Sequence, residues 1–105
     1  MLDSTRQAQF EHILGLTSSM LEKAQAHEWA AVMGLEVERQ GRLVDFFATE
    51  VTRAEAAYVA AAIRQMQEIN RQIMGLGEHL QQQIAGELQG LETGRKATRA
   101  YNLNR

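Results

Sequence analysis

Apolar side chains recur along this chain at helical spacing and almost never at strand spacing. Phe10, Ile13, Thr17, Met20 and Ala24 follow one another at steps of 3, 4, 3 and 4, and Leu14 and Leu21 widen the stripe. Ser4 and Gln7 fit a capping box ahead of it, so a first amphipathic helix is expected over 4–26. Carrying the same phase onward would place His27, Gly34, Glu38 and Gly41 in a core. A new phase fits better: Ala30, Met33, Val37, Val44 and Phe47, flanked by Trp29, Val32, Leu43 and Phe46 and interrupted by Gln40. The slip predicts a turn near Ala26-His27-Glu28 and a second helix over 28–48 whose Ala30–Phe47 stripe faces the core. One helix from Ser4 to Ala48 is the alternative. Gly34 and Gly41 each cost this helix about 1 kcal/mol relative to alanine, a cost that close helix approach would offset.

Thr52 and Glu55 form a second capping box and predict a third helix over 52–93. Its stripe, Val59, Ala62, Met66, Ile69, Ile73, Leu76 and Leu80, steps by 3, 4, 3, 4, 3 and 4, and Ile84, Leu88 and Leu91 continue it. The extra step of four is a stutter that locally relaxes a left-handed supercoil. Thr93-Gly94 offers a stop, with Gly94 suited to the left-handed position after a last turn. A short basic tail, 94–105, would follow. The pattern is all-α: an antiparallel helical hairpin packed on one long third helix. Two helices of roughly 30 Å cannot cover a partner of roughly 60 Å. The apolar far half of the third helix is therefore expected to meet a second copy, a foreign helix or the chain's own tail. A bend near Gly75 and Gly77 that folds the helix back on itself is the alternative.

Composition narrows the class. The chain has 105 residues and a formal net charge of −2, with 45% hydrophobic and 23% charged residues, which fits one small globular domain and no polyanion binder. The absence of proline leaves long helices unbroken, and the absence of cysteine removes disulfides and thiolate chemistry. No apolar run approaches the ~20 residues a membrane span needs, and the start, MLDSTRQAQF, lacks a signal-peptide pattern, so a cytoplasmic location without membrane insertion is expected.

Catalytic chemistry is not expected. His12, His27 and His79 form neither an HExxH nor a Glu-x-x-His pattern, and Gly75-x-Gly77 lies in an apolar helix rather than a phosphate loop. No serine adjoins a base, so neither an enzyme nor a metal or cofactor site is expected. Glu36, Glu38, Arg39 and Arg42 fit a solvated, salt-bridged helix face. Trp29 fits packing at the hairpin tip or a dimer contact. Arg95, Lys96, Arg99 and Tyr101 fit a solvated tail or a contact with an acidic partner. The tail's four basic residues, without a folded reader, argue against nucleic acid recognition.

Three segments, in this order and spacing, resemble the FliT family of flagellar export chaperones: LGLTSSMLEKAQAHEW at 14–29, LEVERQGRLVDFF at 35–47 and GRKATRAY at 94–101. The resemblance covers nearly the whole chain and rests on the ordered set rather than on any one motif. It implies a small helical chaperone of type III export. Its client would be the filament-cap protein FliD, bound through a disordered amphipathic C-terminal segment. It also implies contacts with the export ATPase, its FliJ-like stalk partner and the FlhA gate, and in some bacteria with the regulator FlhDC.

Carried over by position, the client surface would lie on the third helix, at Val59, Ala62, Met66, Ile69, Ile73, Leu76, Leu80 and Ile84. Homo-oligomerisation would use the hairpin, at Phe10, Ile13, Leu14, Trp29, Met33 and Phe47. Export-apparatus or regulatory contacts would use Arg95, Lys96 and Tyr101. Longer relatives add a helix after the Ala-Tyr motif that masks the groove. Four residues follow Tyr101 here, so autoinhibition and the regulator contact rest on the part of the pattern this chain lacks. The rival function is a structural coiled-coil oligomer or export stalk component.

Overall fold

A computed structural model describes the backbone of residues 4–103 and the side chains of residues 4–94. Three helices form in chain order: α1 (Ser4–Gln25), α2 (Trp29–Phe47) and α3 (Arg53–Leu103). The fold is all-α, and α1 and α2 make a hairpin that packs on α3. No helix among the described residues is long and apolar enough to cross a membrane.

The stripe expected for α1 is the buried one: Phe10, Ile13, Thr17, Met20 and Ala24 are all buried, joined by Leu16. The helix ends in a Schellman turn, with the Glu28 N–H donating to the Lys23 carbonyl (2.9 Å) and the His27 N–H to the Ala24 carbonyl (3.0 Å). His27 takes the left-handed position with φ of 61°, a place usually held by glycine. That turn settles the phase slip and excludes one helix from Ser4 to Ala48. At the other end, Gln7 donates to Glu11 Oε1 (3.0 Å), one turn on, so it does not close the box expected with Ser4.

α2 departs from expectation. The stripe of Ala30, Met33, Val37, Val44 and Phe47 faces outward, and the buried residues are Val32 and Phe46, with Leu35, Arg39 and Leu43 half-buried beside them. Both faces are apolar enough to be buried, so hydrophobicity does not choose between them. The choice is made by specific partners. The Phe46 ring meets Phe10 edge-on, centroids 4.9 Å apart, and Arg39 crosses to both other helices. Phe10, Ile13, Phe46, Val59 and Ala62, drawn from all three helices, form the core cluster.

The capping box at the start of α3 forms as expected. The Thr52 N–H donates to Glu55 Oε1 (3.0 Å), and the Glu55 N–H donates to Thr52 Oγ1 (3.3 Å). Glu55 does more than cap. Its other oxygen accepts from Arg6 Nε at 2.8 Å, while Arg6 Nη1 donates to the Phe46 carbonyl at 2.7 Å. The guanidinium carbon also stands 3.8 Å from the Phe46 ring centroid. One arginine from α1 thus ties the C-terminal end of α2, where the helix dipole favours a cation, to the first turn of α3. The Arg6 hydrogen bond, then the Thr52 backbone N–H, hold the Glu55 carboxyl down from 4.5 to about 2.

α3 does not stop at Thr93-Gly94. It runs to Leu103, and no glycine among the described residues has positive φ, so Gly94 is helical and the expected 94–105 tail is helix as far as Leu103. The segment after Gly94 contains good helix formers and no proline, and one helical glycine costs too little to end the helix. Gly75 and Gly77 are helical too, so no break occurs at that pair.

By internal contacts the chain divides into two units, Met1–Gly75 and Leu76–Arg105. The first holds the hairpin, the start of α3 and the core. The second is helical through Leu103, and every residue from 81 to 94 in it is exposed.

Candidate functional site

The structure separates the eight α3 residues assigned to a client. Val59 and Ala62 belong to the core cluster, Met66 packs against it, and Ile73 is buried. Ile69 is half-buried. Val59, Ala62, Met66 and Ile73 are thus taken up by the first unit, and Ile69 is covered only in part. In the second unit Leu76 and Leu80 are half-buried and Ile84 is exposed. Leu88 and Leu91, left out of the client set, are exposed as well and continue from Ile84 at steps of 4 and 3. Among the described residues of the second unit the exposed large apolar positions are thus Ile84, Leu88 and Leu91, with Leu76 and Leu80 on the same heptad-like series; Met74, in the first unit, is exposed as well. Gly86 and Gly90 stand among them with nothing within 4 Å of where a Cβ would lie. Between 76 and 94 the charged residues are Glu78, Glu87 and Glu92. Such a face has no reactive group. What it offers is an apolar seat for an amphipathic segment.

The six self-association positions divide in the same way. Phe10 and Ile13 are fully buried in the protomer, and Leu14 packs on their cluster. Trp29 is half-buried with its indole N–H turned inward. Met33 and Phe47 are exposed, and between them Val37 and Val44 extend the same outward face. Arg95, Lys96 and Tyr101 lie in the helical backbone of α3 but outside the described side chains.

Two polar residues matter more than their spacing suggested. Arg39, expected on a solvated salt-bridged face, turns inward instead. Its Nη1 donates to Thr17 Oγ1 at 3.2 Å and to Asn70 Oδ1 at 2.7 Å, linking α1, α2 and α3. Burial lowers the Arg39 pKa, and nearby Glu36 opposes that shift. Thr17, fully buried, completes the chain by donating to the Ile13 carbonyl at 3.0 Å. Glu38 meets His12 across the hairpin at 3.8 Å, not an arginine on its own helix. Arg39 could have been suspected from sequence, since it stands at a core register between Val32 and Phe46. Arg6 carried no such signal, because its partners lie 40 or more residues away.

The family model described as "Flagellar protein FliT" matches residues 7–103. No curated protein and no solved structure matches the chain. With nearly its whole length matched, the chain belongs to the FliT family of flagellar proteins.

Proposed function

We propose that this FliT-family protein is a flagellar type III export chaperone. It holds a FliD-like filament-cap protein through that client's C-terminal segment in the cytoplasm and delivers it to the export apparatus. It works by binding, without catalysis. Family membership over residues 7–103 carries the reading, and the open Ile84–Leu88–Leu91 face supplies a surface suited to it. A client segment that would otherwise associate prematurely buries its apolar side there. Ordering that segment costs several kcal/mol, which keeps the affinity moderate and release possible. A stalk-type hairpin would want two long matched helices, whereas α1 and α2 have 22 and 19 residues against 51 in α3.

The test is a titration of the intact chain with the C-terminal segment of a FliD-like protein. Binding is expected, and the double substitution Ile84→Asp with Leu88→Asp should abolish it while leaving helix content nearly unchanged. Binding that survives both substitutions would remove the second unit from the client site. No binding by the unmodified chain would reject the chaperone role.

A further inference from the structure

The two units of the chain are held by different forces. In the first, Phe10, Ile13, Phe46, Val59 and Ala62 pack into one cluster, and the polar bridges between helices, from Arg6 to Glu55 and from Arg39 to Asn70, lie wholly within it. In the second, every residue from 81 to 94 is exposed, and the large apolar side chains there, Ile84, Leu88 and Leu91, are 47, 61 and 61% exposed. A helix in that state gains little from burial. Its order rests on backbone hydrogen bonds and intrinsic propensity, and in water those two alone leave a helix near balance with coil.

Propensity in this stretch is poor. Gly77, Gly86, Gly90 and Gly94 stand within 77–94, and His79 and Thr93 are weaker helix formers than their neighbours. One glycine does not end a helix. Several in succession, with no packing to offset them, weaken it steadily, each by a factor of about four to five against alanine in the balance of helix and coil. No close approach within the chain requires them: a Cβ at Gly86, Gly90 or Gly94 would meet nothing within 4 Å. Their effect is on the backbone, where glycine gains most from being coil. α3 continues out of the first unit, so this stretch needs no nucleus of its own and its helix grows or frays residue by residue.

We propose that residues 77–94 are a conditional helix. In the free chain the helical state described above interconverts with coil, and a client segment seated on Ile84, Leu88 and Leu91 shifts the segment to helix. The glycines then act as a brake on affinity. Part of the interaction free energy goes into ordering the chaperone as well as the client, so the apparent affinity falls by the fraction of chains whose seat is already formed. The inference rests on the proposed function for the identity of the bound segment, and on the exposure and glycine content of the second unit for the rest. It gives release a physical origin, because a client that loosens its hold also loses the helix beneath it.

Hydrogen exchange of the intact chain, read by mass spectrometry, tests the segment without any client. Amides of 81–93 should exchange at least about a hundredfold faster than those of 59–70, which lie in the packed unit. Gly86→Ala with Gly90→Ala should slow the 81–93 amides by about tenfold to twentyfold, with the 59–70 amides and the thermal melt unchanged. Gly34→Ala, at an equally open glycine of α2, should leave the 81–93 amides as they are. Protection of 81–93 equal to that of 59–70 in the unmodified chain would overturn the proposal, as would exchange that ignores the double substitution. Titration with the C-terminal segment of a FliD-like protein then reads the brake. Gly86 and Gly90 stand two residues to either side of Leu88, so alanine there points away from the apolar line and adds no client contact. The double variant should nonetheless bind up to about tenfold tighter, because more of its seat is formed in advance. Slower exchange with unchanged affinity would overturn the brake. Failure of both chains to bind the segment would reject the proposed function instead, and the exchange comparison would still decide whether the helix is conditional.

Discussion

α1 and α2 have similar lengths, 22 and 19 residues, and enter the same core, yet they distribute their apolar residues differently. α1 has one stripe, buried along its centre with Leu14 and Leu21 half-buried beside it, and none of the large exposed apolar residues lies on it. α2 has two stripes. It buries the one that contains an arginine and exposes the one that looked cleaner. The difference shows what an apolar stripe establishes: burial against something, without saying against what. A helix with a single stripe is oriented by hydrophobicity alone. A helix with two is oriented by the contacts that break the tie, here the Phe46 ring against Phe10 and the Arg39 bridge to Thr17 and Asn70.

The sharpest way to break this comparison is to truncate equivalent apolar residues on the two faces of α2. Phe46→Ala removes a fully buried ring and should cost about 3–5 kcal/mol. Val44→Ala, two positions away, removes an exposed side chain and should change stability by no more than about 0.5 kcal/mol in the isolated protein. Urea unfolding of the two variants measures both. Equal losses would mean that the outward face is covered within the protomer, and the orientation of α2 would then be wrong.

The next effect lies where the end of α2 meets α1 and α3. The folded Glu55 carboxyl titrates at about 2, below its ordinary 4.5, chiefly because Arg6 hydrogen-bonds its charged form. A depressed carboxylate stabilises the fold above its unfolded value and loses that contribution as pH falls. The protein should therefore weaken progressively from about pH 4.5 down to about pH 2. Glu55→Gln should be less stable than the unmodified chain at neutral pH, and the gap should close across that window. Parallel denaturation curves at the two ends of the window, with an unchanged gap, would show that the Arg6–Glu55 contact does not couple folding to proton binding.

Much of this architecture is legible in the residues. The α1 stripe, the Thr52–Glu55 cap and the position of the hairpin turn all rest on local rules: a period, a box of four residues, a change of phase. The failures share a physical cause, since each depends on a partner distant in the chain or on a small balance. The orientation of α2 depends on Phe10, Thr17 and Asn70, which periodicity within α2 does not see. Arg39 resembled a solvated charge because Glu36 stands at helical spacing from it, while its acceptors lie on other helices. The end of α3 depended on whether one glycine outweighs the good helix formers after it. The α3 stripe was correctly identified as apolar throughout. It could not reveal which half is consumed by the core, because Val59 and Leu88 look alike in sequence and differ only in what surrounds them.

The smallest effect concerns the residue that lets the two helices differ at all. His27 sits between α1 and α2 in the left-handed region, at φ of 61°, and makes the 3.0 Å bond to the Ala24 carbonyl that closes the Schellman turn. A side chain there brings its Cβ close to the backbone, a strain that glycine lacks. His27→Gly keeps both turn hydrogen bonds and should raise stability by about 0.5–1 kcal/mol, part of the relief being offset by the greater freedom glycine has when unfolded. His27→Val should move the other way, because a β-branched side chain tolerates that conformation worst. The exposed Lys23–Glu28 pair, 3.2 Å apart across the same turn, should contribute little to either result, so the two variants isolate the backbone term. A glycine variant no more stable than the histidine protein, with a valine variant equally unaffected, would mean that the turn is not held in the left-handed conformation. The phase change that gives α2 its two faces would then need another origin.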